Sequence, residues 1–172
     1  MQLREDLCLD TAIRALSEVV LPAVDPTNAL ALEQLQVVIG LLSLQAQRRA
    51  LAWRFDLDEL ARLLPMCRAL VALGEGESAG ALACLSDEGD RVLARAQAAP
   101  EEVTGAVRAL REASGALVTA LYSEGDAARR SAVMQAVLAH AEAQLLRERA
   151  WFAPQGWEPR PEALPAIEDL LK

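Results

Sequence analysis

From Pro100 to Leu121 the chain reads PEEVTGAVRALREASGALVTAL, and its apolar spacing decides the fold class. Val103, Val107, Leu110, Ser114, Leu117 and Leu121 follow one another at intervals of 4, 3, 4, 3 and 4. Only a helix brings such positions onto one face, and three heptads of them make a coiled-coil-like seam. Pro100 at the first helical position and Glu101 and Glu102 in the first turn mark the helix start.

Downstream, Glu124-Gly125-Asp126 is a tight turn into a last long helix, Ala127 to about Phe152. Met134, Leu138, Ala141 and Leu145 are its expected buried face, and Arg147 and Arg149 suit its C-terminal dipole. Two long helices joined so tightly are expected to pack antiparallel.

Upstream, residues 78–99 are expected to hold one or two short helices, the better one starting after Ser86. Gly74-Glu75-Gly76-Glu77 is the clearest loop. Asp56-x-x-Glu59 resembles a capping box that opens a helix through Leu57, Leu60, Leu64, Cys67 and Val71, which Pro65 should kink or end. Asp25-Pro26 signals the start of a longer helix running to about Arg54. Its window Ala29–Ala46 is rich in leucine and valine but carries Glu33, Gln34, Gln36, Ser43 and Gln45. A buried central helix accounts for that window better than a membrane span, which needs about 20 predominantly apolar residues. A first helix is expected from Leu3 to about Val20, with Leu9, Ile13, Leu16 and Val20 on one stripe and Cys8, Ala12, Ala15 and Val19 on the next. Pro154, Pro159, Pro161 and Pro165 make the tail an extended arm, ending in a short helix over 166–171.

Composition agrees with helices throughout. Ala and Leu supply 34 and 30 of the 172 residues, whereas Val, Ile and Thr together supply 19, too few for a sheet. The expected architecture is all-α: a single-domain, mostly antiparallel bundle of five to seven helices over residues 1–153 with a long central helix, followed by a proline-rich arm over 154–172.

The net charge of −8 works against nucleic acid and anionic membrane surfaces, both of which require basic patches. Of the 17 basic residues only Lys172 is lysine. With the abundant Ala, Gly and Pro, this points to a GC-rich bacterial genome and weakens arginine content as a sign of phosphate recognition. The N-terminal Met1–Asp6 is acidic where a signal peptide is basic, and Cys8, Cys67 and Cys84 are odd in number and scattered. A cytoplasmic location with reduced thiols is expected.

Few residues offer chemistry. His140 is the only histidine, so a catalytic triad or histidine-rich metal site would have to use it. The Glu-x-x-His motif of di-iron bundles is absent, because Val137 lies three residues before it. The cysteines have no neighbouring base, and the glycines of the 74–80 loop are too sparse to cradle a phosphate. No cofactor, metal or catalytic set is expected. If the central helix is enclosed, its polar residues Gln34, Gln45 and Arg48, with His140, become candidates for lining a ligand pocket. Trp151, Phe152 and Trp157 lie within seven residues beside prolines and are the candidate interface anchors.

The segment Glu18–Asp25, EVVLPAVD, with the long helix after it, resembles part of a bacterial family of unknown function. Genes of that family sit beside phosphotransferase-like and acyl-CoA dehydrogenase-like genes. The resemblance covers about 35 residues, implies no catalytic residue, and would place the chain in an accessory role near acyl-CoA chemistry.

The expected function is therefore that of a non-enzymatic bundle acting through protein contacts, as a homodimer or through a partner bound by the arm. The alternative is a bundle that holds a small molecule, an acyl or other apolar ligand, in an internal pocket.

Overall fold

Helices make up the regular structure of residues 5–171, which the computed structural model describes; no strand occurs among them. The protein is an all-α bundle. Helix α1 (Glu5–Ala15) passes through a π-helical turn (Leu16–Val20) into the short α2 (Leu21–Ala23). Then come α3 (Ala29–Leu73), α4 (Gly76–Ala94), α5 (Pro100–Glu124), α6 (Ala127–Phe152) and the short α7 (Ile167–Leu170). The expected helix start at Leu3 lies outside the described residues, as does Lys172 at the end of the arm.

Local chemistry sets the helix ends. Asp25 does not cap α3. Its carboxylate accepts from the Thr27 N–H at 2.9 Å and from the Thr27 hydroxyl at 2.7 Å. Asn28 takes the capping role instead, its Oδ1 accepting from the Ala31 N–H at 3.1 Å, so the helix starts three residues later than Pro26 signals. Asp126 caps α6 through the Arg129 N–H at 2.8 Å. Glu102 reaches back to the Ala99 N–H at 2.8 Å, which holds its carboxyl below the usual range. Gly76, the first residue of α4, has φ +79°, a conformation that suits glycine.

Three expected boundaries are corrected. The chain does not break between Arg54 and Asp56, nor at Pro65: α3 is one helix of 45 residues. Asp56 and Glu59 lie inside this helix and do not serve as caps; Glu59, like Asp58, is engaged by arginines, described below. Pro65 costs one helix hydrogen bond, and the buried Leu60, Leu63, Leu64, Cys67 and Leu70 on either side of it hold the helix together. Residues 76–94 likewise form a single helix that starts well before Ser86.

The chain divides into two compact units. The second (Ala52–Glu148 with Ala166–Lys172) contains the hydrophobic core. The Pro100–Leu121 seam is buried in it from end to end: Val103, Val107, Leu110, Ser114, Leu117 and Leu121 are each at most 8% exposed. They pack with the C-terminal half of α3 and with Leu82 and Val92 of α4. Gly89 permits a close approach, since a Cβ there would meet Leu64 Cδ2 at 2.9 Å. The seam is thus consumed within one chain, and it is not a surface for a second copy. Ile167 and Leu171 are also buried here, and the carbonyls of Leu170 and Leu171 accept from Arg62 and Arg54. The end of the arm belongs to this unit as packed structure.

The first unit (Met1–Leu51 with Arg149–Pro165) is built differently. Of the fully buried apolar residues among those described, it holds Leu44 and Ala150, and the second unit holds the other seventeen. Leu9, Ile13 and Leu16 are half-buried, while the neighbouring Cys8, Ala12, Ala15 and Val19 face solvent. The Ala29–Ala46 window is not enclosed as its hydropathy implies, since Leu30, Val37, Val38 and Leu41 are all exposed. The C-terminal segment folds onto α3 through polar groups. Arg48 donates to the carbonyls of Ala150 and Trp151, each at 3.1 Å, and Gln155 Nε2 donates to the Gly40 carbonyl at 2.8 Å.

Candidate functional site

The site begins with an inversion of α6. Met134, Leu138 and Leu145, expected inside, are 50%, 52% and 57% exposed. The adjacent stripe of Val133, Val137, His140, Gln144 and Arg147 turns inward, so the helix buries its polar residues. Ion pairing is the reason. Arg147 is 1% exposed, and its Nη1 donates to the Phe55 carbonyl at 2.9 Å and to Asp58 Oδ2 at 3.1 Å. Its guanidinium lies 3.9 Å from the Phe55 ring centroid, where the π face favours a cation. Glu59 lies 3.5 Å from Nη2, close enough to attract it but without a hydrogen bond. A buried charge of this kind is tolerable only when paired, and the pairs decide which face of α6 turns inward.

The network extends from this centre. Asp58 also accepts from Arg62 Nε at 2.6 Å, and Glu59 pairs with Arg111 of α5 at 2.6 Å. Gln144 Nε2 donates to Glu148 Oε1 at 2.6 Å, one helical turn on. Burial together with the nearby Glu59 carboxylate raises the Asp56 carboxyl above its ordinary value, against Arg147.

His140 lies between two grooves of the second unit. One, about 660 Å³, runs beside Leu57, Asp58, Ala61, Arg62 and Pro65 of α3. The other, about 640 Å³, is walled by Leu63, Met66 and Leu70 of α3, Val118 of α5 and Val137 of α6, with Arg111, Ser114, His140, Gln144 and Glu148 supplying its polar atoms. Burial lowers the His140 pKa, and Arg111 and Arg147 lower it further, while a hydrogen bond with the Arg62 backbone and the Glu59 charge oppose them. The ring is therefore held neutral in the fold. As pH falls below the ordinary value of 6.5, the unfolded chain takes a proton before the folded one does. Stability is fully present above that value and declines as pH falls through the lower folded pKa. Urea melts between about pH 7.5 and 5.5 should show this decline in the native chain and a shallower one in His140→Gln.

The other pocket candidates lie elsewhere. Gln34 and Gln45 are exposed on α3 in the first unit, on the same stripe as Leu30, Val37 and Leu41. Arg48 is half-buried and tethers the C-terminal segment, its guanidinium 5.7 Å from the Trp151 ring. Trp151 is half-buried by that contact, whereas Phe152 and Trp157 are 45% and 66% exposed. Arg149, expected from its position to serve the helix dipole, forms a two-pronged pair with Glu158 at 2.9 and 2.7 Å. Sequence reasoning missed Asp58, Glu59 and Arg147 as one network. The only signal available was the placement of Gln144 and His140 on one helical stripe.

Burial pushes the Cys67 thiol up to about 11, so it stays protonated near neutral pH, and Cys8 and Cys84 are exposed. Among the described residues no group of three or more His, Cys, Asp or Glu side chains is placed to hold a metal ion. Comparison with family models, with curated proteins and with solved structures finds no match to the chain.

Proposed function

We propose that the protein is an assembly module that pairs with a second copy of itself through its first unit. The observation that supports this most is the contrast in burial: the first unit fully buries only Leu44 and Ala150 among its described apolar residues, yet exposes Leu7, Val19, Val20, Leu30, Val37, Val38 and Leu41. So small a core leaves much of the apolar surface of these helical segments uncovered, and covering such surface is the main favourable term in association. A partner that covers these side chains would supply the missing burial. Phe152 and Trp157, exposed in the same unit, add aromatic area of the kind that anchors interfaces.

The chemistry of the α3 stripe favours a protein partner. An 18-residue window of α3 has a mean hydropathy of 1.4 with 6% of it buried, so by length and composition alone the helix is long enough to cross a membrane. Gln34 and Gln45, however, stand among the exposed leucines and valines. Amides can hydrogen-bond across a helix pair but are costly in hydrocarbon. The residues of the exposed stripe, Leu30, Gln34, Val37, Val38, Leu41 and Gln45, are uncharged, with the exposed Glu33 at its edge, so two copies can meet on it with few like charges opposed despite the net −8.

Native mass spectrometry without detergent, with a denatured control, tests the proposal. The expected species has twice the 18.5 kDa chain mass. A monomer at tens of micromolar would overturn it, as would a chain that remains single but sediments with lipid vesicles. Deleting the whole arm is a poor probe, because Ile167 and Leu171 are buried in the second unit.

A further inference from the structure

The α3–α5–α6 groove of the second unit has a polar end whose hydrogen-bonding capacity is unbalanced. Gln144 lines it and is only 9% exposed. Its Nε2 donates to Glu148 Oε1, which fixes the orientation of the amide, since the flipped form would set carbonyl oxygen against carboxylate. Gln144 Oε1 is left buried without a hydrogen-bond partner. An orphaned acceptor of this kind costs about 1–3 kcal/mol unless a donor reaches it. Its neighbours in the groove are acceptors as well. The Ser114 hydroxyl gives its proton to the Arg111 carbonyl at 3.0 Å and keeps its lone pairs, and Glu148 is a carboxylate. The cation at this end, Arg111, is already paired with Glu59. His140 adds an imidazole ring, and the rest of the lining is aliphatic or thioether apart from Gly115.

We propose that this groove binds an apolar molecule carrying a single hydroxyl or amine donor, with that donor on Gln144 Oε1 and the apolar body along Met66 and Val118. A carboxylate head is disfavoured on Gln144 Oε1 by the same chemistry, because its oxygens would face that acceptor and Glu148. The groove volume of about 640 Å³ accommodates a chain of eight or so carbons. This inference is independent of self-association.

The test is methyl NMR on the full chain with labelled methionine, titrated separately with 1-octanol, octylamine and octanoate. Met66 lines both this groove and the neighbouring 660 Å³ one, so the Gln144→Leu variant assigns its shift to this groove, and Met134, exposed on α6 and outside both linings, is the internal control. The expected result is a saturable Met66 shift with octanol or octylamine and at least tenfold weaker binding of octanoate. In Gln144→Leu the preference for the donor-bearing ligands should be lost. The proposal is overturned if Met66 shows no saturable shift with either donor, if octanoate binds as tightly, or if Gln144→Leu binds octanol as well as the native chain. If that variant does not fold, the ligand series on the native chain decides alone.

Discussion

Replacing Arg147 with leucine is expected to cost about 3 kcal/mol of folding stability, a large share of the 5–15 kcal/mol that a domain usually has. The loss comes less from the vanished contacts than from what stays behind. Asp58 is 1% exposed at its side chain, and without Arg147 its charge falls to Arg62, which is 24% exposed. Breaking a buried pair costs roughly 3–5 kcal/mol, and Arg62 keeps the figure at the lower end. The Phe55 carbonyl also loses the Arg147 donor and the Phe55 ring its cation. Arg147→Lys should rescue little, because a single ammonium cannot serve the carbonyl, the carboxylate and the ring together. Arg147→Leu combined with Asp58→Asn should recover part of the loss, since the buried carboxylate that Arg147 helped to offset is then neutral. Urea melts of the three variants check this, and a loss below about 1 kcal/mol in Arg147→Leu would show that the pair does not hold α6.

Introducing charge on α3 should abolish self-association while leaving the fold intact. In Val37→Glu/Leu41→Glu, two apolar side chains that are 36% and 45% exposed in one chain become carboxylates. Covering them in a dimer would place four like charges in one interface and remove two apolar anchors from each copy. At about 1 kcal/mol for each of the four substituted side chains, the expected effect is roughly a thousandfold rise in Kd. Sedimentation should show a monomer at concentrations where the native chain is a dimer, with unchanged helical circular dichroism. An unshifted equilibrium would place the interface elsewhere, and the exposed Met134, Leu138 and Leu145 of α6 would then be the next face to examine.

Apolar periodicity alone makes much of this architecture legible. The Val103–Leu121 seam is buried along its whole length, and the starts of α5 and α6 lie where Pro100 and Asp126 put them. What periodicity does not supply is the occupant of the other side of each face. On α6 two stripes compete, Met134–Leu138–Leu145 and Val133–Val137–His140–Gln144–Arg147, and hydrophobicity favours the first. The second is the buried one because Asp58 and Glu59, almost ninety residues earlier, hold Arg147. Nothing local to either segment records that pairing. The same blindness explains α3: Asp58 and Glu59 lie in a stretch that reads as a helix start when taken alone. Hydropathy fails differently at Ala29–Ala46, where an apolar stripe looks the same whether its cover lies within the chain or beyond it. His140 stands out because it is unique, whereas Gln144 becomes meaningful only once its unpaired oxygen is located.

The continuity of α3 has a kinetic consequence. Helix formation is limited by its first turn, which fixes several residues for one hydrogen bond, with a nucleation constant of about 10⁻³, while extension is close to neutral for each added residue. The stretch around Leu60–Leu70 is nucleated by the core it helps to build. Residues 29–51 need no nucleus of their own, because they can zip outward from an existing helix end. Leucine, alanine and glutamine, which dominate that stretch, favour propagation. The exposed stripe is thus ordered before any partner arrives, and encounter between copies meets a preformed helix surface in place of a coil that must be wound during binding.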